Sequence, residues 1–184
     1  MNQGLIPRRY AKALIEFAAT KSGAESKLYD VMQQLAATFA AAPALQSTLA
    51  NPHVSDADKL SLIATAAGGE AAAMPVFADF IKLLQQNKRL GVLRDAALAY
   101  VDIHRKANSI HRVVITSAAP LADAELQRMH RLVDAHLPQG ATAEYLHEVN
   151  PELIGGFTIA IDNEELDASL ANDFKQLRLK LLSH

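Results

Sequence analysis

The chain has 184 residues, of which half are hydrophobic, and a net charge of −2 at pH 7, so it can bury a core in one large domain or two small ones. It contains no cysteine, which excludes disulfides, thiolate zinc sites, iron–sulfur clusters and thiol nucleophiles. No apolar run reaches the roughly 18 residues of a membrane span, and the start of the chain lacks the apolar segment of a signal peptide, so we expect a soluble cytoplasmic protein.

Residues 5–107 carry the spacing of amphipathic helices. Residues 5–23 predict a first helix, because apolar side chains recur there at helical intervals, at Tyr10, Ala13, Leu14, Phe17 and Ala18. Prolines, glycine pairs and asparagine-containing turns separate five further predicted helices, at residues 25–41, 44–50, 56–67, 70–86 and 90–106. Six helices joined by short loops predict a bundle over residues 1–107.

The fifth predicted helix has two apolar faces and therefore two packing neighbours. Val76, Phe80 and Leu83 lie on one face, and Phe77, Ile81 and Leu84 lie on the other. The stripe on the first helix is, taken alone, typical of plain core. The first helix also has small side chains, Ala11, Ala13 and Ala18, beside the large Tyr10, Leu14 and Phe17. This combination predicts a shallow groove where the first and fifth helices pack, and such a groove accepts another amphipathic helix.

The pattern changes to that of a small sheet after residue 107. Val113 to Ile115 have strand propensity, and residues 123–136 form an amphipathic helix that ends before Pro138. Residues 141–149 and 156–161 alternate in the manner of strands, and the turn between them predicts that they form a hairpin. We therefore place the boundary at residues 107–109, which gives domains 1–107 and 108–184.

The last predicted segment is a return strand followed by a helix. Asp162 and Asn163 turn the chain into a short strand, Glu164–Leu166, and Asp167 or Ser169 caps the helix. The apolar positions of that helix, which face the sheet, are Leu166, Leu170, Phe174, Leu177 and Leu181. The predicted fold is mainly α with a small α+β part, namely an N-terminal six-helix bundle followed by a small mixed sheet with flanking helices.

The sequence offers no recognisable catalytic, cofactor-binding or metal site. Residues 1–107 carry a charge balance of +3 and residues 108–184 one of −5, and neither part has the clustered basic residues of a nucleic-acid footprint. The seven histidines include no HExxH motif and no pair four residues apart. The acidic cluster at residues 162–167 lacks the ligand order of an EF-hand, and Gly155-Gly156 precedes a strand rather than a phosphate-binding helix. We therefore expect no cofactor and a surface for protein partners.

Five blocks of sequence, in order, resemble one family over nearly the whole chain. They are Arg9–Leu14 (RYAKAL), Asn51-Pro52, Phe80–Leu90 (FIKLLQQNKRL), Val114–Leu121 (VITSAAPL) and the block from Leu153 to Ser169. The last block is the most specific, because an apolar residue, Gly155 and Gly156, an alternating strand, a turn, and then Asp167 and Ser169 form the structural signature of that family. The chain resembles the delta subunit of bacterial F-type ATP synthases, the counterpart of the mitochondrial oligomycin-sensitivity-conferring protein (OSCP).

The resemblance implies a non-catalytic peripheral-stalk subunit, present in one copy per complex. Such a stator links the F1 catalytic head to the b subunits of Fo at the cytoplasmic face of the cell (inner) membrane, without inserting into the membrane, so that proton-driven rotation is coupled to ATP synthesis. The resemblance also implies that the N-terminal helix of an α subunit binds between the first and fifth helices, and that the C-terminal ends of the b subunits bind the C-terminal domain. The α contact would involve Tyr10, Ala13, Leu14, Phe17, Phe77, Phe80, Ile81 and Leu84.

The chain departs from the family pattern at the start of its last predicted helix. Ala168 stands where glycine is typical, and Ala171-Asn172-Asp173 stands where basic residues are common, so the resemblance does not support charge-based contacts at the start of this helix. The alternative hypothesis is a free-standing helical adaptor or regulatory domain that shares the fold but not the assembly. Copurification with ATP synthase subunits separates the two hypotheses.

Overall fold

The computed structural model describes residues 4–21, 24–69, 74–153, 155–162 and 164–169. The chain divides into two compact units, residues 1–104 and 105–184, whereas the change in sequence pattern had placed the boundary after residue 107. The predicted class is confirmed, since six α-helices precede a small mixed sheet that carries a further helix. Within the described ranges, no helix combines the length and the apolar composition needed to cross a bilayer.

The described helices before the sheet are α1 (Leu5–Ala19), α2 (Ala24–Ala41), α3 (Ala44–Ala50), α4 (Asp56–Ala66), α5 (Pro75–Gln86) and α6 (Leu93–Ala107). A 3₁₀ turn, Leu90–Val92, precedes α6. α1 ends earlier than predicted because the hydroxyl and the N–H of Thr20 both donate to the Phe17 carbonyl, at 2.6 and 3.2 Å, which tightens the last turn. α5 begins at Pro75 rather than at residue 70, because proline is favoured in the first turn of a helix, where its missing N–H costs nothing. Residues 70–73 lie outside the described residues.

Apolar side chains from all six helices form the core of the first unit. The largest of those that are almost fully buried include Leu28, Met32, Leu35, Ile63, Phe77, Leu84, Leu93 and Tyr100. Burying one Leu- or Phe-sized side chain stabilises a fold by about 1.5–3 kcal/mol, so this core is the main source of stability in the bundle. Ser55 caps α4, because its Oγ accepts a hydrogen bond of 3.2 Å from the Asp58 N–H.

The second unit is built on a four-stranded sheet with the order β2-β1-β3-β4. Its elements are β1 (Ile110–Ser117), α7 (Asp123–His136), β2 (Thr142–Val149), β3 (Gly156–Ile161) and β4 (Glu164–Ser169). β1 pairs with β2 in parallel and with β3 antiparallel, and β3 pairs with β4 antiparallel. Val113, Ile115 and Ile159 of the sheet and Val133 of α7 are buried together as its core.

The predicted hairpin between residues 141–149 and 156–161 is wrong, because β1 lies between these two strands. Val113 and Ile115 of β1 are almost completely buried, which suits a central strand, whereas the second half of β2 is exposed and suits an edge. The connection between β2 and β3 therefore passes the end of β1 instead of making a tight turn. The Asn150 N–H fixes that crossing by donating to the Ser117 carbonyl at 2.9 Å.

The predicted return strand is too short, and its end is misplaced. β4 continues to Ser169, and Asp167 lies inside it opposite Thr158, so Asp167 does not cap a helix. Leu166 is a strand residue, 56% exposed, rather than the first buried position of a helix. The backbone hydrogen bonds of the six-residue ladder with β3 outweigh the local helix signal. The other apolar positions of that predicted helix, and Ala171-Asn172-Asp173, lie outside the described residues.

Candidate partner-binding groove

The buried stripe of α1 is rotated from the one that the sequence indicates. α1 buries Pro7, Ala11, Leu14 and Ala18, at intervals of four, three and four residues. Ala13 and Phe17 are exposed and Tyr10 is half-buried, so these three side chains lie at the edge of the buried stripe rather than inside the core. They are therefore available to a partner.

α1 and α5 together form an apolar groove of about 320 Å³. Its lining consists of Tyr10, Ala13, Leu14 and Phe17 from α1 and Asp79, Phe80 and Leu83 from α5, and we call it the α1/α5 groove. The Tyr10 and Phe80 rings pack edge to face, with centroids 6.4 Å apart and planes at 70°. Phe17 and Leu83 remain 37% and 43% exposed. An open apolar surface of this kind suits an amphipathic helix.

Charged groups surround the apolar lining of the α1/α5 groove. The Asp79 side chain belongs to the lining itself. The Lys21 Nζ lies 4.9 Å from the centroid of the Phe17 ring, and the Arg89 guanidinium donates to the Tyr10 hydroxyl at 3.4 Å. A partner helix with an apolar stripe and polar flanks would meet both apolar and charged surface here.

The structure brings together five of the eight residues predicted for this contact, namely Tyr10, Ala13, Leu14, Phe17 and Phe80. Phe77 and Ile81 line a different groove, of about 400 Å³, between α4 and α5. Leu84 is completely buried in the core. Leu83 and Asp79 line the α1/α5 groove although they were not assigned to it. The sequence pattern had placed Leu83 on the same helix face as Val76 and Phe80, and this shared face could have identified Leu83 as a groove residue.

The glycines of the sequence signature occupy positions that demand their conformational freedom. Gly155 and Gly156 have φ angles of 153° and 80° at the entrance to β3, and Gly156 pairs with Ser169 in the β3–β4 ladder. A residue with a Cβ would be strained at Gly156. Asp162 is also at positive φ, and its carboxylate binds the His111 Nδ1 at 2.7 Å and the Arg112 N–H at 3.0 Å. This carboxylate therefore closes the turn after β3.

A histidine pair that the sequence did not reveal joins α7 to β2. The Nε2 atoms of His130 and His147 are 3.0 Å apart, with ring planes at 11° and centroids 5.2 Å apart, so the two nitrogens point at each other. That is the geometry of an N–H···N hydrogen bond, because two nitrogens that bind one ion would converge on it instead. Among the described residues, no group of three or more His, Asp or Glu side chains is arranged to hold a metal ion.

Two tyrosines have perturbed acidities, and neither lines the α1/α5 groove. Burial raises the pKa of the Tyr100 hydroxyl, and the negative charge of Glu25 adds to the shift. Burial also raises the pKa of Tyr145, whose hydroxyl donates to the Asp134 carboxylate at 2.7 Å. Both groups stay protonated and neutral at physiological pH, so they act here as structural groups.

Comparison with known proteins assigns residues 6–181 to the model of the ATP synthase delta (OSCP) subunit family. The ATP synthase subunit delta of Bacteroides thetaiotaomicron is 37% identical over 182 residues, covering 99% of this chain and 96% of the relative. That of Desulfitobacterium hafniense is 30% identical over 186 residues, covering 100% and 99%. A chain in the cryo-EM structure of the Toxoplasma gondii mitochondrial ATP synthase hexamer has the same fold, with a TM-score of 0.67, 20% identity, and coverage of 97% of this chain and 98% of that one.

Proposed function

The chain belongs to the ATP synthase delta (OSCP) subunit family, whose members are peripheral-stalk subunits, and we propose that it is a non-catalytic stator of an F1Fo ATP synthase. In this proposal its first unit binds the N-terminal helix of an α subunit of the catalytic head, and its second unit binds the ends of the b subunits. The complex then sits at the cytoplasmic face of the membrane, where the link stops the head from turning with the rotor.

The α1/α5 groove is the observation that carries the first contact. It is apolar, open to solvent and bordered by charges, so it matches a helix with one apolar stripe. Ala13 has a small side chain between Tyr10 and Phe17, which lets a second helix approach closely. We propose Tyr10, Ala13, Leu14, Phe17, Phe80 and Leu83 as the contact residues.

A stator has no chemical step, and its task is to hold contacts that resist torque. A contact that resists torque must be long-lived, and buried apolar anchors supply slow dissociation better than exposed ion pairs do. Phe17 and Leu83 are exposed anchors on the first unit, and Leu146 and Val149 are exposed on the edge strand of the second. The exposed residues on β2 are candidates for the contact with b.

The test is an isothermal calorimetric titration, in which a synthetic peptide of the α-subunit N-terminus is added to the full chain. We expect saturable binding, and we expect Ala13→Asp to weaken it at least tenfold, because a carboxylate would be buried in the apolar groove. Ala37→Asp is the matched control, since Ala37 is exposed in the second half of α2 and lines no described groove. It should leave the affinity unchanged.

Two results would contradict this proposal. The absence of heat at high micromolar peptide would show that the chain does not bind the α-subunit peptide. Equal losses of affinity in Ala13→Asp and Ala37→Asp would show that the peptide does not bind in the α1/α5 groove. Circular dichroism of Ala13→Asp checks that the bundle stays folded, as the exposure of Ala13 predicts. Pull-down from native membranes then tests the assembly, because an adaptor outside the synthase would not copurify with α and b.

A further inference from the structure

α7 covers only part of the sheet face on which it packs. The Tyr145 hydroxyl of β2 donates to the His130 carbonyl and to the Asp134 carboxylate of α7, at 3.1 and 2.7 Å, so α7 lies over the β2 side of the sheet. One helix is roughly 10 Å wide, whereas four strands spaced by about 4.8 Å are almost twice as wide. The side of this face that β3 and β4 form is therefore left without a covering helix in the described part of the second unit.

An apolar trough of about 500 Å³ lies on this uncovered side, between α7 and β3. We call it the α7/β3 trough, and its lining consists of Leu121, Glu125, Arg128, Met129, Leu132, Gly156, Phe157 and Ile159. Leu132 is 47% exposed on the α7 side of the trough. Leu166 of β4 is 56% exposed and pairs with Ile159, so these two residues lie on the same face of the sheet. A segment that covered the trough would bury both exposed leucines.

The chain leaves the sheet at the rim of this trough. Ser169, the last residue of β4, pairs with Gly156, which lines the trough. The segment that follows, residues 170–184, lies outside the described residues. As a helix, its 15 residues would be about 22 Å long, close to the length of α7 with its 14 residues. The segment therefore begins beside the trough and is long enough to lie along it.

The sequence of residues 170–184 suits an apolar trough in an acidic unit. Its large apolar side chains recur at helical intervals, at Leu170, Phe174, Leu177 and Leu181. Three basic residues and one acidic residue give the segment a net side-chain charge of +2, whereas residues 108–169, with three basic and ten acidic, carry −7. In a helix, Arg178 and Lys180 would flank the apolar stripe, and the exposed Glu125 lies at the trough. Apolar burial and opposite charge both favour docking of the segment on its own unit.

We propose that residues 170–184 occupy the α7/β3 trough as an intramolecular cover of the second unit. Phe174 and Leu177 are the central anchors of this cover, because they lie in the middle of its apolar stripe, and they bury Leu132 and Leu166. The trough is then closed to the b subunits, which leaves the exposed edge strand β2 for that contact. The docking is a property of the chain alone, so it can be tested without any synthase subunit and independently of the stator function.

The absence of cysteine makes disulfide trapping in the full chain a direct test, because two introduced thiols have no competitor. The test pair is Leu132→Cys with Leu177→Cys. The control pair is Leu146→Cys with Leu177→Cys, since Leu146 is 41% exposed but follows Tyr145 in β2 and so points to the other face of the sheet. A disulfide needs Cβ atoms about 3.5–4.5 Å apart, so mild oxidation should close the test pair at least about tenfold faster than the control pair. Non-reducing electrophoresis and intact mass measure both rates.

A second measurement reports the cover without cross-linking. Phe174→Asp places a carboxylate in the apolar stripe, so it should open the trough and raise the fluorescence of the dye ANS, which binds exposed apolar surface, at least about threefold. Leu179→Asp is the matched control, because residue 179 lies opposite the stripe at helical spacing, and it should leave the fluorescence unchanged. Circular dichroism checks that both variants stay folded.

Four results would overturn the proposal. Equal rates for the two cysteine pairs would show that the segment does not occupy the trough, and a disulfide that forms only between two chains would assign the trough to a second copy. Suppression of the disulfide of the test pair by a peptide from the C-terminal end of b would assign the trough to b. Equal fluorescence in Phe174→Asp and Leu179→Asp would show that the apolar stripe of the segment is not buried.

Discussion

Leu83 and Leu84 are adjacent in α5 but have opposite surroundings, and this difference gives a sharp test of the α1/α5 groove. Leu83 is 43% exposed and lines the groove, while Leu84 is 0% exposed in the core. Full burial of a leucine side chain is worth about 1.5–3 kcal/mol, so covering the exposed part of Leu83 contributes roughly 0.6–1.3 kcal/mol to binding. Leu83→Ala should therefore raise the Kd of the α-subunit peptide about three- to ninefold.

The same pair of substitutions should separate affinity from stability. Leu83→Ala should change the free energy of unfolding by about 0.5 kcal/mol or less, as is usual for surface positions. Leu84→Ala should lower it by about 2–5 kcal/mol, because it opens a cavity in the core. Calorimetry gives the Kd, and urea unfolding gives the stability. The reasoning would be refuted if Leu83→Ala left the Kd unchanged while Leu84→Ala, still folded, abolished binding.

Three further substitutions test local features of the fold. Lys88→Gly should raise the free energy of unfolding by about 1 kcal/mol, because glycine relieves the positive φ, and urea unfolding measures it. Ser55→Ala should lower the same quantity by about 1 kcal/mol, since it removes the cap of α4. Tyr145→Phe should lower it by about 1–2 kcal/mol at pH 7 through loss of the hydrogen bond to Asp134. Because the folded-state pKa of Tyr145 is raised, that difference should be constant below the unfolded pKa of about 10 and shrink above it, which unfolding at several pH values checks.

The sequence predicted α2, α3, α4, α6 and α7 to within about three residues because these helices are encoded locally. Proline and glycine mark their ends, and apolar spacing marks their faces, as in α7, whose observed bounds match the prediction. The pairing of strands is different. The alternation in β2 and β3 is equally compatible with a direct hairpin and with a third strand between them, and the pairing of β1 with both strands decides it. A pattern within one strand does not identify its neighbours.

The groove was predicted in outline but not in detail, for a related reason. Tyr10 and Phe17 dominate the apolar pattern of α1 because they are large, yet the helix buries its smaller residues, Ala11 and Ala18, against the core. Small residues pack closely and leave the aromatic side chains at the edge of the interface. The observed rotation of the buried stripe of α1 results from its packing against the neighbouring helices. The sequence of α1 alone does not specify this packing.

The size of the α1/α5 groove also limits how firmly one contact can hold. The exposed parts of Phe17 and Leu83 are worth together about 1–2.5 kcal/mol, far less than the roughly 8 kcal/mol of a micromolar complex. The partner helix must therefore contribute burial of its own, and the attachment of the second unit must add to it. When one contact is made, the other becomes intramolecular, and the combined affinity can exceed either one by about 10²–10⁴. A stator held at both ends thus needs only moderate affinity at each, and separating the two units should weaken attachment to the synthase far more than it weakens binding of the isolated α peptide.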